Sequence, residues 1–459
     1  MIYFTSNSKA LYYSPPVSCG TPIRTVSTAG SNRPMLIRQH RMTTMSKGAN
    51  VKNPNKKRLT KALAMAALIP FVFTACGGGG GNSGSGDATK LTLMDYYNNE
   101  PDNKAIKTEI ESCASEIGVT IEREAVPGKD LIQKVLQKSS SKTLPDILML
   151  DNPDLQEIAA TGGLAPLEDF DVDTAGFAKG MLEAGTYEGK VYGLAPTANT
   201  LGIFYNKKLL ADAGLQPPAT WDELKSTAKA LTKGSQYGVA FSAIATYEGS
   251  WQFLPFMWTN GGDEAKLDSP ENKEALQLWK DLVDSGSASK SVINWGQGDV
   301  KDQFMAGKAA MMVNGPWQIP ALSEDPSLEW GSVQVPVNKE GQTPIAPLGG
   351  EVWTVPQTGN KEKQAKAAEF ITCFTRDSTQ MSLATQRYTV PTKPELAKEF
   401  NAEMPTMESF TEQVANARSR TGQLGEGWPK AATTIYTAIQ LALTGKASVD
   451  EAFKQAANG

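Results

Sequence analysis

The side chains of this sequence that could do chemistry on a small polar molecule gather at a few turns. Asp95-Tyr96-Tyr97-Asn98 follows one apolar run and Asp151-Asn152-Pro153-Asp154 follows another. Carboxylates accept hydrogen bonds, amides both donate and accept, and tyrosine carries a hydroxyl on an apolar ring. Tyr97, Asn98, Asp151 and Asn152 are therefore candidate ligand residues, although Asp, Asn and Pro are also ordinary turn residues. Glu351 stands in Pro347-Leu-Gly-Gly-Glu-Val-Trp353, where Gly349 and Gly350 permit close backbone approach. Arg387, in the loop Gln386-Arg-Tyr-Thr-Val-Pro-Thr392, can reach a cleft or a surface partner. Seven of the nine Trp fall between positions 221 and 330. Trp251 and Trp258, seven apart, would share one helix face, and Trp317 is presented by the turn Asn314-Gly-Pro316. Such an indole is a stacking platform for a flat apolar surface. Trp353 and Trp428 complete the aromatic candidates.

Composition excludes several chemistries. The single His is His40, inside a basic leader, so the chain beyond it has no Ser-His-Asp or Cys-His catalysis and no usual zinc site. No metal or cofactor is expected. Residues 1–75 hold eleven Lys and Arg and no acid, leaving 34 basic against 49 acidic residues beyond, a formal charge of −15. A body so charged has no global attraction for nucleic acid. The turn after the first apolar run lacks a Gly-rich phosphate fingerprint, which disfavours a nucleotide site.

The elements that must position these residues alternate. Strand patterns at 90–94, 119–124 and 146–150 enclose helical patterns at 103–117 and 129–138, a doubly wound α/β start. The third strand is almost continuously apolar, as in a sheet covered on both faces. Ligands in such sheets bind beyond the carboxyl ends of strands, which is where the two polar turns fall. Asn199–Leu224 reads as an apolar strand, a short helix at 207–213 stopped by Gly214, the stiff pair Pro217-Pro218, and a helix opened by the capping box Thr220-Trp-Asp-Glu223. Cys113 lies on an apolar stripe and reads as a small buried hydrophobe. A Cys113–Cys373 disulfide stays open.

The leader has its own logic. Lys56–Lys61 is a positive segment, and 62–75 is apolar but too short to span a bilayer. Residues 1–44 fit no part of this scheme and are read as a start placed too early, with Met45 or Met42 the true one. Gly77–Gly86 is almost pure Gly, Ser and Asn, a flexible tether.

Asn199–Leu224, Phe304-Met-Ala-Gly-Lys-Ala-Ala-Met-Met-Val-Asn-Gly-Pro-Trp317, Pro347–Trp353 and Pro391-Thr-Lys-Pro394 together resemble the extracellular solute-binding proteins of ABC sugar importers, the maltose-binding-protein-like family. The resemblance covers about 91–458. It implies a two-lobed, type II periplasmic-binding-protein-like α/β fold with a hinge. The chain would cross between lobes near Asn199, Ile345 and Leu396, giving one lobe of 91–198 plus 346–395 and another of 199–345 plus 396–459. It implies that Trp317 stacks on a sugar while Asp151, Asn199, Glu351 and their neighbours take hydroxyls. The implied function is capture of an oligosaccharide by a non-enzymatic monomer that delivers it to the transmembrane subunits of an ABC permease. Phe73-Thr-Ala-Cys76 resembles a bacterial lipobox, with Phe73 where Leu is usual; Cys76 would carry lipid and anchor the protein outside the cytoplasmic membrane. The alternatives are the same fold with a non-sugar solute (a polyamine, an amino-acid derivative or a phosphate ester) and a secreted glycosidase using paired carboxylates. Without His, affinity is expected to be flat from about pH 6 to 8.

Overall fold

The computed structural model describes residues 87–459. The leader, Cys76 and the tether lie outside the described residues. Two β-sheets organise the chain. The larger has six strands, in the order Thr120–Ala125, Lys90–Asp95, Ile147–Asp151, Glu351–Pro356 and Leu164–Ala165, with Gly193–Leu194 also pairing on Glu351–Pro356. Its first three strands are parallel, joined by helices Asp102–Glu116 and Gly128–Ser140, as the alternating pattern anticipates. Ile147–Leu150 is buried without a break, because helices cover both faces. Glu351–Pro356 enters this sheet antiparallel from far along the sequence.

The smaller sheet runs Tyr237–Ala240, Ala309–Asn314, Gly202–Asn206 and Trp330–Val333. Its strand Gly202–Asn206 is the apolar run read from sequence. The helix Trp221–Leu231 begins with both halves of the Thr220/Glu223 capping box and buries Leu224, Ala228 and Leu231, the predicted stripe. A second, aromatic core covers one face of this sheet: Trp279 packs against Phe241 (4.3 Å) and Phe253 (5.1 Å).

Three segments run side by side between the sheets. Asn199 exchanges backbone hydrogen bonds with Gly349 (2.8 and 3.1 Å), and the Arg418 backbone pairs with Ala346 and Leu348 (both 2.9 Å). Thr197–Ala198 and Val390–Pro391 form a further antiparallel pair beside them. Among the described residues, no helix is long and apolar enough to cross a membrane.

Cys113 and Cys373 are joined in a disulfide, closing the alternative left open by sequence. It staples Asp102–Glu116 to Lys361–Phe374 on one side of the larger sheet. The bond spans 260 positions, so the chain-entropy model assigns it a stabilisation of about 5.6 kcal/mol, an upper bound when native strain and residual unfolded structure are allowed for. Urea unfolding of the oxidised protein is expected to give a midpoint clearly above that of the Cys113→Ser/Cys373→Ser variant, with the same native circular dichroism. Equal midpoints would show that the bond adds nothing to stability.

Candidate functional site

The register of one strand pair creates the site. Ile147–Asp151 and Glu351–Pro356 are antiparallel with Asp151 opposite Glu351, so both carboxylates emerge at the same sheet end. The buried Asn152 amide donates to the carbonyls of Gly350 (3.0 Å) and Leu348 (3.2 Å), pinning the stretch before Glu351. Gly350 has φ +126°, and a Cβ there would stand 2.7 Å from the Thr197 carbonyl. Only glycine fits.

Glu351 is held from behind. The Tyr96 hydroxyl donates to its Oε1. Arg387 stands 4.0 Å from its Oε2, donates to Asp102 (3.0 Å) and lies 4.4 Å from the Tyr97 ring centre. Burial, with the Glu351 charge adding, pushes both tyrosine hydroxyls well above the usual range, so they stay protonated. Burial works against the Arg387 charge, but Tyr97, Glu351 and Asp102 outweigh it and raise its pKa.

Aromatic residues form the facing wall. Tyr247 and Trp251 are four apart on the helix Tyr247–Thr259, hence on one face. The Trp251 ring lies on backbone: a Cβ at Gly349 would be 2.9 Å from its Cη2. Trp317 follows the strand Ala309–Asn314 on a short 3-10 turn, and its ring lies so close over Gly315 that a Cβ would clash at 2.0 Å. Asn314 stiffens that turn, accepting from the Gly315 N–H (3.0 Å) and donating to the Gln297 carbonyl (3.0 Å). The Glu248 carboxylate accepts from the Gln297 N–H. Arg420 donates to Asp151 (3.0 Å) and lies 4.6 Å from the Trp251 ring centre. Together these residues enclose a cleft of about 380 Å³, lined by Tyr96, Asp151, Asn199, Tyr247, Glu248, Trp251, Gln297, Trp317, Gly349, Gly350, Glu351 and Arg420. A larger groove of about 720 Å³ lies elsewhere, along the edge strand Trp330–Val333, and contains none of these groups.

Residues 109–412 match the family model of bacterial extracellular solute-binding proteins. The chain belongs to that family. This solute-binding protein is 26% identical over 333 residues to a maltooligosaccharide ABC transporter solute-binding lipoprotein of Streptococcus pneumoniae, spanning 67% of this chain and 75% of the relative. It is 29% identical over 228 residues to a maltotriose-binding protein of Pyrococcus abyssi, 47% of this chain and 46% of that one. The structure of a cyclic α-maltosyl-1,6-maltose binding protein from Arthrobacter globiformis superposes with a TM-score of 0.71 at 28% identity, covering 80% of this chain and 98% of that one. Among the described residues, no His, Cys, Asp and Glu cluster could hold a metal.

Of the ligand residues expected from the sequence of this solute-binding protein, Asp151, Asn199, Trp251, Trp317, Gly350 and Glu351 line the cleft. Tyr97, Asn152 and Arg387 stand behind it as supports. Four expectations are corrected. Asn98 is exposed on its turn, away from the cleft, with its side chain accepting from Asn99. Trp258 shares the Trp251 face but sits two turns, about 10 Å, further along; it is buried, donates to Glu264 (2.7 Å) and packs under Arg418. Trp353 is two strand positions beyond Glu351 and already beneath the helix Lys361–Phe374, 4.4 Å from Phe374. Trp428 opens the helix Trp428–Leu443 inside the second core. Sequence reasoning missed Tyr96, Tyr247, Glu248, Gln297 and Arg420. Tyr247 and Trp251 at i and i+4 are a usable signal, and Tyr96 stands in the polar turn that also holds Tyr97.

One carboxyl outside the cleft lining has its titration raised to near neutrality, which bears on stability; the flat affinity expected without His concerns the cleft itself. Half-buried Asp154, one turn past Asp151, is pushed up to about 7 by burial, then by the charges of Asp151 and Glu157, with Arg420 opposing. The folded state holds this proton more tightly than the unfolded chain, whose Asp titrates near roughly 4. Stability contributed by Asp154 is therefore full below about pH 4 and lost as pH rises through about 7. Asp154→Asn is expected to raise the melting temperature at pH 8 and to flatten its decline between pH 5 and 8. A decline unchanged in the variant would contradict this.

Proposed function

We propose that this solute-binding protein captures a carbohydrate, of oligosaccharide size, outside the cytoplasmic membrane and presents it to the transmembrane subunits of an ABC permease. The observation that carries the reading is the facing of Trp317, on its stiffened turn, with the Asp151 and Glu351 carboxylates across one cleft. A sugar ring offers an apolar C–H face to indole and equatorial hydroxyls to carboxylates. An unpaired buried acceptor in the wall, Gln297 Oε1, adds to it: a hydroxyl can donate to it, whereas an ionised phosphate oxygen cannot. The names of the maltooligosaccharide and maltotriose relatives agree with this ligand class.

The reading is of a binding protein without catalysis. Asp151 is paired with Arg420, and Glu351 is occupied by Tyr96 and Arg387. The lobes are 91–198 with 346–395, and 199–345 with 396–459; the hinge lies where the chain crosses between them, near Asn199, Ile345 and Leu396. Closure is driven by contacts better made in the closed form, so the ligand must touch both walls. The protein is a monomer, anchored through lipidated Cys76 on the outer face of the membrane after loss of 1–75.

Calorimetry against maltose, maltotriose and longer glucans is expected to find one site and no release of reducing sugar. Trp317→Ala should weaken that binding at least roughly tenfold, about 1.4 kcal/mol, with little change in melting temperature. A large thermal loss at unchanged affinity would assign Trp317 to the core instead. Cys76→Ala is expected to move the protein from the membrane fraction to the soluble one; continued membrane partitioning would overturn the anchor.

A further inference from the structure

Arg420 is placed against the cleft's own purpose. Its guanidinium lies 4.6 Å from the Trp251 ring centre, and Trp251 is left only 8% exposed, whereas Tyr247 on the same helix face is 52% exposed. With Arg420 over the ring and Gly349 against its edge, little of the Trp251 indole is left open to a ligand. The same guanidinium occupies Asp151, donating to its Oδ1 at 3.0 Å, with Asn152 Oδ1 at 3.5 Å. Arg420 is thus an internal occupant of two groups that a sugar would use, one from each wall. Its hold is incomplete: Nε is buried without an acceptor, and an unmet buried donor is unfavourable. The backbone beside it is the Arg418 segment, which pairs with Ala346 and Leu348 between the sheets, so the side chain is rooted where the two sheets join.

We infer that Arg420 is a competing internal ligand: a bound sugar displaces its guanidinium from Trp251 and Asp151, and this exchange sets the affinity and selectivity of the cleft. The inference deepens the carbohydrate reading and rests on it. A ligand gains entry only if its apolar face and hydroxyls replace both the cation–aromatic contact and the ion pair. Small polar solutes with no such face are rejected, because they would leave Trp251 bare and the charges separated. Breaking an ion pair to admit a neutral ligand also gives a salt dependence of unusual sign. Screening weakens the Arg420–Asp151 pair, so affinity for a neutral sugar should rise with ionic strength.

The test is calorimetry with maltotriose on the full chain and on Arg420→Met, which keeps length and removes charge and stack. Arg420→Met is expected to bind roughly threefold to tenfold more tightly. Wild-type affinity should increase between low and high salt, while that of Arg420→Met stays flat. Arg420→Lys, a second variant in case the first folds poorly, keeps the charge but not the planar stack and should show a smaller gain. Agmatine, which carries a guanidinium, should bind Arg420→Met and not the wild type. Maltotriose bound equally or more weakly by Arg420→Met, with no uptake of agmatine, would overturn the inference and leave the carbohydrate reading intact. No oligosaccharide bound by either form, with agmatine taken up by Arg420→Met alone, would end the carbohydrate reading and support the guanidinium as the displaceable occupant.

Discussion

The pairing of Asp151 with Glu351 across two antiparallel strands is the constraint on which the site depends. Side chains alternate along a strand, so a slip of one residue would turn Glu351 away from the cleft. The register is protected at its open end by the Asn152 amide, which holds the Gly350 and Leu348 carbonyls, and by a Gly350 backbone that no side chain would tolerate. The same short stretch carries Gly349, whose missing side chain lets Trp251 lie against the backbone and Asn199 pair beside it. One strand entry thus positions both carboxylates and brings the aromatic wall into reach of them.

Each wall is rigid for a different reason. The carboxylate side is a web of linked polar groups: Tyr96, Tyr97 and Arg387 gather about the buried Glu351, and the half-exposed Asp102 holds Arg387 from outside. Such a web is stable because every member has a partner and costly to disturb because the surroundings are apolar. The aromatic side is stiffened by short turns and glycine contacts. Arg420 is the exception, joined to both walls and fully satisfied by neither.

The architecture was legible because it is written locally. The apolar Ile147–Leu150 run, the Thr220/Glu223 cap and the alternation of strands and helices over 90–151 depend on neighbours in sequence. The site was legible where a turn presents its residue directly, as at Asp151, Glu351 and Trp317. It was not legible where depth decides. Trp258 and Trp353 have the right periodicity for the cleft but sit one or two steps too far along their elements, under Glu264 and Phe374. Gln297 and Arg420 carry no local pattern; they arrive through the Asn314 side chain and through the pairing of the Arg418 segment with Ala346. The absence of His does not empty the neutral range of titrating groups, since burial brings Asp154, outside the cleft lining, to where His usually titrates.

The most direct measurement of the central claim is a ¹⁵N-indole spectrum of the tryptophans during titration with maltotriose. Each indole N–H gives one resonance, assigned by single Trp→Phe substitutions. Ligand bound between the carboxylate and aromatic walls should move the signals of Trp317 and Trp251, and leave Trp258, Trp279, Trp353 and Trp428 in place. Saturable shifts that leave Trp317 and Trp251 unmoved while another tryptophan responds would contradict the placement of the site.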